Sequence, residues 1–113
     1  MADTIRLRPA AGTWVARAGG AVIAETNAAI ELTERDHEPV IYFPRGDVAT
    51  AFLEPSATQS HCPHKGDASH FTLVTKSGDI PDAAWSYETP KDDLADIAGH
   101  LAFYVHKVTV EQV

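Results

Sequence analysis

The sequence holds a single cysteine in 113 residues. No disulfide can form within the chain, so no bridged scaffold supports it, and a reducing, cytoplasmic compartment is the expected setting. Basic residues are outnumbered, with nine Lys and Arg against sixteen Asp and Glu and a formal net charge of −7. The nine are scattered from Arg6 to Lys107 and never form a run. A nucleic-acid binder needs clustered cations to displace counterions from phosphates, so no nucleic-acid partner is expected. Long apolar runs are missing too. No window nears the ~20 apolar residues of a membrane span. The opening MADTIRLRPAAGTW carries no apolar leader of the secretory kind, so no membrane association is expected. Internal repeats and low-complexity tracts are also absent.

What is there is ordinary for a globular domain. Hydrophobic residues make up 44% and charged residues 22%, and the length is that of one domain. Residues 1–12 read as an N-terminal arm, with PAAG near its end, and residues 13–113 as a single β-rich domain. TWVARA and AVIAET are two strand-like runs joined by Gly19-Gly20, and both glycines can adopt positive φ, so the pair predicts a hairpin. AAIELTE and PVIYF read as further strands. SHFTLVTK alternates, with Phe71, Leu73 and Thr75 opposite His70, Thr72, Val74 and Lys76. AAWSYE places Trp85 and Tyr87 on one side, and HLAFYVHKVTVEQV reads as one or two strands, with Leu101, Phe103 and Val105 opposite Ala102, Tyr104 and His106. Two short helices are expected. One starts at Asp47 as N-cap and stops before Pro55, and the other runs through TPKDDLADIAG with Thr89 as cap and Gly99 at its end. The strands lack intervening helices of crossover length, which disfavours a parallel doubly wound sheet. The expected fold is mainly β: a single compact domain of eight or nine short antiparallel strands with one or two short helices, curled into a sandwich, an open barrel or a tent of small sheets.

The stretch HCPHKGDASH concentrates the chemistry. His61, Cys62, His64 and His70 include residue types that zinc accepts, but neighbours on an extended segment point to opposite sides and no second Cys-rich half exists. No metal site is expected. Cys62 with Lys65 three residues on is a candidate nucleophile or redox pair, since a nearby cation favours the thiolate. The competing reading of Cys62 is a small buried hydrophobe. HKGDAS also offers a cation, a flexible Gly66 and backbone N–H groups to an anion, although it is not a P-loop. The acids Asp79, Asp82, Glu88, Asp92 and Asp93 read as turn, helix-start and solvated residues. The aromatics fall almost entirely in strand-like segments and read mostly as core. Tyr and Trp nonetheless carry polar tips that need partners, so several can line a pocket for a planar ligand.

Four segments, VIYFPRGDV, HCPHKGDAS, AWSYETP and IAGHLAFY, together resemble the family called domain of unknown function 427, also labelled nucleotidyltransferase-like, over about residues 15–110. The resemblance implies a compact, mostly β domain, similar to the β-tent or Mss4-like folds, and implies no activity. The Gly-Ser turn and paired acidic metal ligands of polymerase-type transferases do not occur here. The family's motif positions fall on Tyr42, Pro44, Asp47, Cys62, Lys65, Gly66, Ala68, Trp85, Tyr87, Pro90, Phe103 and Tyr104. The sequence departs at His64 and His70, where an aromatic is common, and at Phe71, where Trp is common.

The leading expectation is a small-ligand-binding β domain for an anionic or aromatic molecule. Tyr42, Trp85, Tyr87 and Tyr104 would line its pocket and Lys65 and Arg17 would meet an anionic group, with Gly66 from the turn and Asp47 from the resemblance completing the set. The first alternative is an enzyme using Cys62 activated by Lys65, and the second a non-catalytic interaction module, monomeric or homodimeric. No cofactor is indicated.

Overall fold

The computed structural model describes residues 5–113. Among the described residues, ten strands build three antiparallel sheets, two of three strands and one of four. In the first, β1 (Ile5–Pro9) pairs with β4 (Ile30–Glu34), and β4 with β5 (Val40–Tyr42). In the second, β2 (Trp14–Ala18) lies between β3 (Ala21–Thr26) and β10 (Thr109–Gln112). The third runs in the order β6 (Leu53–Cys62), β7 (Gly66–Thr75), β8 (Gly78–Ser86) and β9 (Ala102–Phe103). None of the sheets closes on itself.

The mainly β, antiparallel reading holds, and Gly19-Gly20 forms the expected hairpin turn with φ of 56° and 78°. Of the expected N-terminal arm, residues 1–4 lie outside the described residues, and Ile5–Pro9 is strand β1, bonded along its whole length to β4.

Both expected short helices are present as 3₁₀ turns. Thr50–Phe52 and Arg45–Asp47 are single 3₁₀ turns, and Asp47 closes the second of these rather than capping a helix. The chain becomes extended again at Leu53, and Pro55 sits inside β6 beside a break in its register with β7. An exposed edge strand tolerates a residue without an N–H. The segment after Pro90 is a 3₁₀ stretch, Asp92–Ile97, kinked at Leu94, with no side-chain cap at its start. Gly99, at φ 73°, lies just beyond its end as expected. The stretch HLAFYVHKVTVEQV forms two strands, β9 and β10, with a turn between them. After Phe103 the chain turns, with Lys107 N and Val108 N both donating to Tyr104 O, and Val105 is 77% exposed. No helix among the described residues is long and apolar enough to cross a membrane.

Two apolar clusters hold the sheets together. One joins Ala16, Ile23 and Ala24 of the β2–β3 hairpin to Phe71, Leu73, Ala84 and Phe103 of the four-stranded sheet. The other joins Leu32 and Tyr42 to Ala68, Tyr87, Ala102 and the 3₁₀ residues Leu94 and Ile97. Strand β7 therefore buries both faces: Phe71 and Leu73 enter the first cluster, while Ala68 enters the second and His70, on the same face, is 5% exposed. Alternation along a strand makes this possible. Arg45 ties three segments near this junction. Its Nε donates to Gly99 O at 2.9 Å, its Nη2 to Glu88 Oε2 at 2.7 Å, and its guanidinium lies 5.7 Å from the Phe71 ring centre.

Candidate ligand-binding site

A cavity of about 310 Å³ opens beside the second cluster. Its floor is set by β4 and β5, which bring Leu32, Val40 and Tyr42 together through the pairs Leu32↔Val40 and Ile30↔Tyr42. Strands β7 and β8 supply Ala68, His70 and Trp85 from one side, and Tyr87 and Tyr104 follow from the segments just beyond β8 and β9. Lys65 enters from the turn between β6 and β7. That turn is docked by Lys91 N donating to Lys65 O at 3.0 Å. Gly66 stands at φ 116°, and a Cβ there would lie 3.4 Å from Thr89 O and 3.5 Å from Pro90 Cα. A residue with a side chain would be strained in its backbone and crowd the docked strand end.

Lys65 is not a lone cation. Its Nζ donates to Glu34 Oε1 at 2.9 Å, and the two side chains are 14% and 13% exposed. The same Nζ lies 3.7 Å from Cys62 Sγ. Burial works against the charge on Lys65. The Glu34 hydrogen bond and the fields of Tyr87, Cys62 and Glu34 outweigh it, so the pKa is raised. Burial pushes the Tyr42 phenol far above its usual range, against the opposing effect of the hydrogen bond from Trp85. Tyr87 is raised by burial, partly offset by Lys65, and Tyr104 by burial and then by Asp82. The phenols are therefore held protonated, as donors and acceptors rather than as charges.

The aromatic wall is a connected set. Trp85 Nε1 donates to Tyr42 Oη at 3.3 Å, and the rings meet edge-on with centres 6.3 Å apart. The Trp85 and Tyr104 ring centres are 4.5 Å apart. Tyr104 lies nearly parallel to His70, and its hydroxyl is 3.1 Å from His70 Nε2. Trp85 and Tyr104 also line a second hollow of about 430 Å³, with Trp14, Ile41, Val105 and His106 on its far side.

Of the residues singled out from sequence, Tyr42, Lys65, Trp85, Tyr87 and Tyr104 converge on the first cavity. Cys62 touches Lys65 and packs against the second cluster, but does not line the cavity. Arg17 and Asp47 are not among the residues that line this cavity. Arg17 is on the β2–β10 sheet, paired to Glu111 at 2.6 Å, and Asp47 accepts a hydrogen bond from Thr26 Oγ1 at 2.7 Å. Gly66 shapes the turn and is not among the residues that line this cavity. Among the described residues, no group of three or more His, Cys, Asp or Glu side chains gathers where a metal ion could sit.

Sequence reasoning missed Glu34 and undervalued His70. Glu34 had a signal. It falls two residues after Leu32 and four after Ile30 on one face of β4, a charge on an otherwise apolar side. Its partner lies 31 residues away, where no local pattern reaches.

Chemically, the lining combines the rings of Trp85, Tyr87 and Tyr104 with the polar groups of Lys65 and the phenols. Curated proteins include no match to this chain. A family model matches residues 6–113, which include every residue lining the cavity, and the chain is a member of the family described as domain of unknown function (DUF427).

Proposed function

We propose that this domain binds a small planar aromatic molecule in the cavity lined by Tyr42, Lys65, Trp85, Tyr87 and Tyr104. One observation carries the reading: five side chains from four separate segments of the chain meet around one concave space of about 310 Å³. That volume lies at the small end of ligand pockets, and apolar or aromatic walls with a few polar groups are their usual make-up. Of an anionic and an aromatic ligand, the aromatic one is favoured, because Glu34 already balances the Lys65 charge and Glu38 adds a carboxylate to the lining. The net charge of −7 accords with a partner other than nucleic acid. The single cysteine accords with a cytoplasmic setting.

A thermal-shift screen of one- and two-ring aromatic compounds tests the proposal. Binders should raise the melting temperature of the wild type and leave Trp85→Ala unmoved. A library with no binder, or with binders indifferent to Trp85, would contradict it.

A second reading is supported by the Lys65–Cys62 contact of 3.7 Å. In it, Cys62 is a nucleophile or redox residue helped by Lys65. The rate of Cys62 alkylation against pH decides it. An inflection well below the ~8.5 of a free thiol, lost in Lys65→Met, supports the reading. An inflection at that value, or no reaction in the folded chain, removes it.

A further inference from the structure

His70 is 5% exposed, and its Nδ1 is buried with no hydrogen-bond partner among the described residues. Its Nε2 faces Tyr104 Oη at 3.1 Å. An uncharged imidazole carries one hydrogen, on either nitrogen. With the hydrogen on Nδ1, the ring would bury an N–H donor that donates to nothing, the rarer and costlier kind of orphan. With the hydrogen on Nε2, only a lone pair is left dry. The structure thus assigns the hydrogen to Nε2, which makes His70 the donor and Tyr104 Oη the acceptor.

That direction has a consequence for the cavity. The Tyr104 hydroxyl keeps its own hydrogen, and among the described residues no side chain or carbonyl accepts it. Lys65 is in a similar position. Its ammonium has three hydrogens, and its two hydrogen-bond partners are Glu34 and Cys62. Tyr104 and Lys65 therefore bring two unspent donors to one cavity. Among the described residues that line the cavity, Lys65 is the one ammonium, Glu34 balances it and Glu38 adds a second carboxylate, so the donors favour an oxygen carrying a lone pair over one carrying a full negative charge.

Resting on the proposed aromatic pocket, we propose that its ligand is a planar aromatic carbonyl compound. The ring lies against Trp85 and the uncharged carbonyl oxygen accepts from Tyr104 and Lys65, while His70 positions the Tyr104 hydroxyl.

Four naphthalene probes test this on the full chain by isothermal titration: 2-acetylnaphthalene, 2-isopropylnaphthalene, 2-naphthoate and 2-naphthylmethylammonium. The ketone is expected to bind at least tenfold more tightly than the hydrocarbon, and no less tightly than the carboxylate. Tyr104→Phe is expected to weaken the ketone at least fivefold more than the hydrocarbon, removing most of that tenfold preference. A hydrocarbon, carboxylate or ammonium that binds more tightly than the ketone overturns the carbonyl assignment and leaves the pocket standing. No binding of any probe overturns the pocket and the assignment together. The histidine can be read independently of any ligand. In a two-bond proton–nitrogen NMR spectrum, His70 Nδ1 should appear as the unprotonated nitrogen, and a protonated Nδ1 overturns the positioning role.

Discussion

Lys65 and Glu34 lie 31 residues apart in sequence and 2.9 Å apart in space, and their side chains are shielded to nearly the same degree. The pair joins the turn after β6 to the end of β4, and Glu34 neutralises the Lys65 ammonium at the cavity. Removing one member leaves the other charged and poorly hydrated, a loss larger than the net value of the pair. Glu34→Gln and Lys65→Met should each cost about 2 kcal/mol of unfolding free energy, and the double variant Glu34→Leu/Lys65→Met should recover most of it. Urea unfolding of the three proteins measures this. Single variants as stable as the wild type would show that the pair carries no such weight.

The pH dependence has a definite sign. Lys65, Tyr42, Tyr87 and Tyr104 all have raised pKa values in the folded chain. Each group therefore holds its proton more tightly folded than unfolded. Its contribution is complete below its unfolded value and is lost as pH climbs through the folded one. Urea midpoints should stay level from neutral pH to about pH 9 and fall above about pH 10, the unfolded range of Tyr and Lys. Tyr42→Phe, which removes the most strongly shifted phenol, should make that fall shallower. A rise in stability over the same window would contradict the assignment.

Gly19 and Gly20 occupy the same turn but differ in their surroundings. A Cβ on Gly19 would lie 2.5 Å from Thr75 Oγ1 and 2.8 Å from Thr75 Cβ, whereas one on Gly20 meets nothing within 4 Å. Thr75 cannot swing aside freely, because its hydroxyl donates to Gly78 O at 2.7 Å. Both glycines have positive φ, so both substitutions cost about 1 kcal/mol in backbone strain. Gly19→Ala should cost at least ~1 kcal/mol more than Gly20→Ala through the clash. Equal thermal stabilities would refute the close approach.

Arg45 separates an exposed ion pair from a buried junction. Its bond to Glu88 is roughly half exposed on both sides, so Glu88→Gln should cost under ~0.5 kcal/mol. Its bond to Gly99 O and its packing on Phe71 are lost together in Arg45→Ala, which should cost about 1–2 kcal/mol. Arg45→Lys should recover little, since an ammonium cannot reproduce the planar fork. Chemical denaturation of the three variants tests the order, and a Glu88→Gln cost equal to that of Arg45→Ala would reverse it.

The strands were legible because their signals are local: alternation in β7, β-branched residues in β5, and a Gly-Gly turn between β2 and β3. The helical turns were legible from local signals as well, but the N-cap role given to Asp47 was not met, because Asp47 closes a 3₁₀ turn instead of opening a helix. Within the site, Tyr42, Lys65, Trp85, Tyr87 and Tyr104 were legible as residue types carrying an apolar body and a polar tip. Arg17 and Asp47 looked equally suited, and only the sheet order sends Arg17 to Glu111 on another face. Glu34 and His70 depended on partners 31 and 34 residues away, which the fold alone supplies.

The most direct measurement is chemical-shift mapping of the full chain titrated with 2-acetylnaphthalene. The account predicts saturable shifts of the Trp85 indole N–H and of the Lys65 and Tyr87 backbone amides, with the Trp14 indole, which lines only the second hollow, unmoved. Shifts centred on Trp14, or none that saturate, would contradict it.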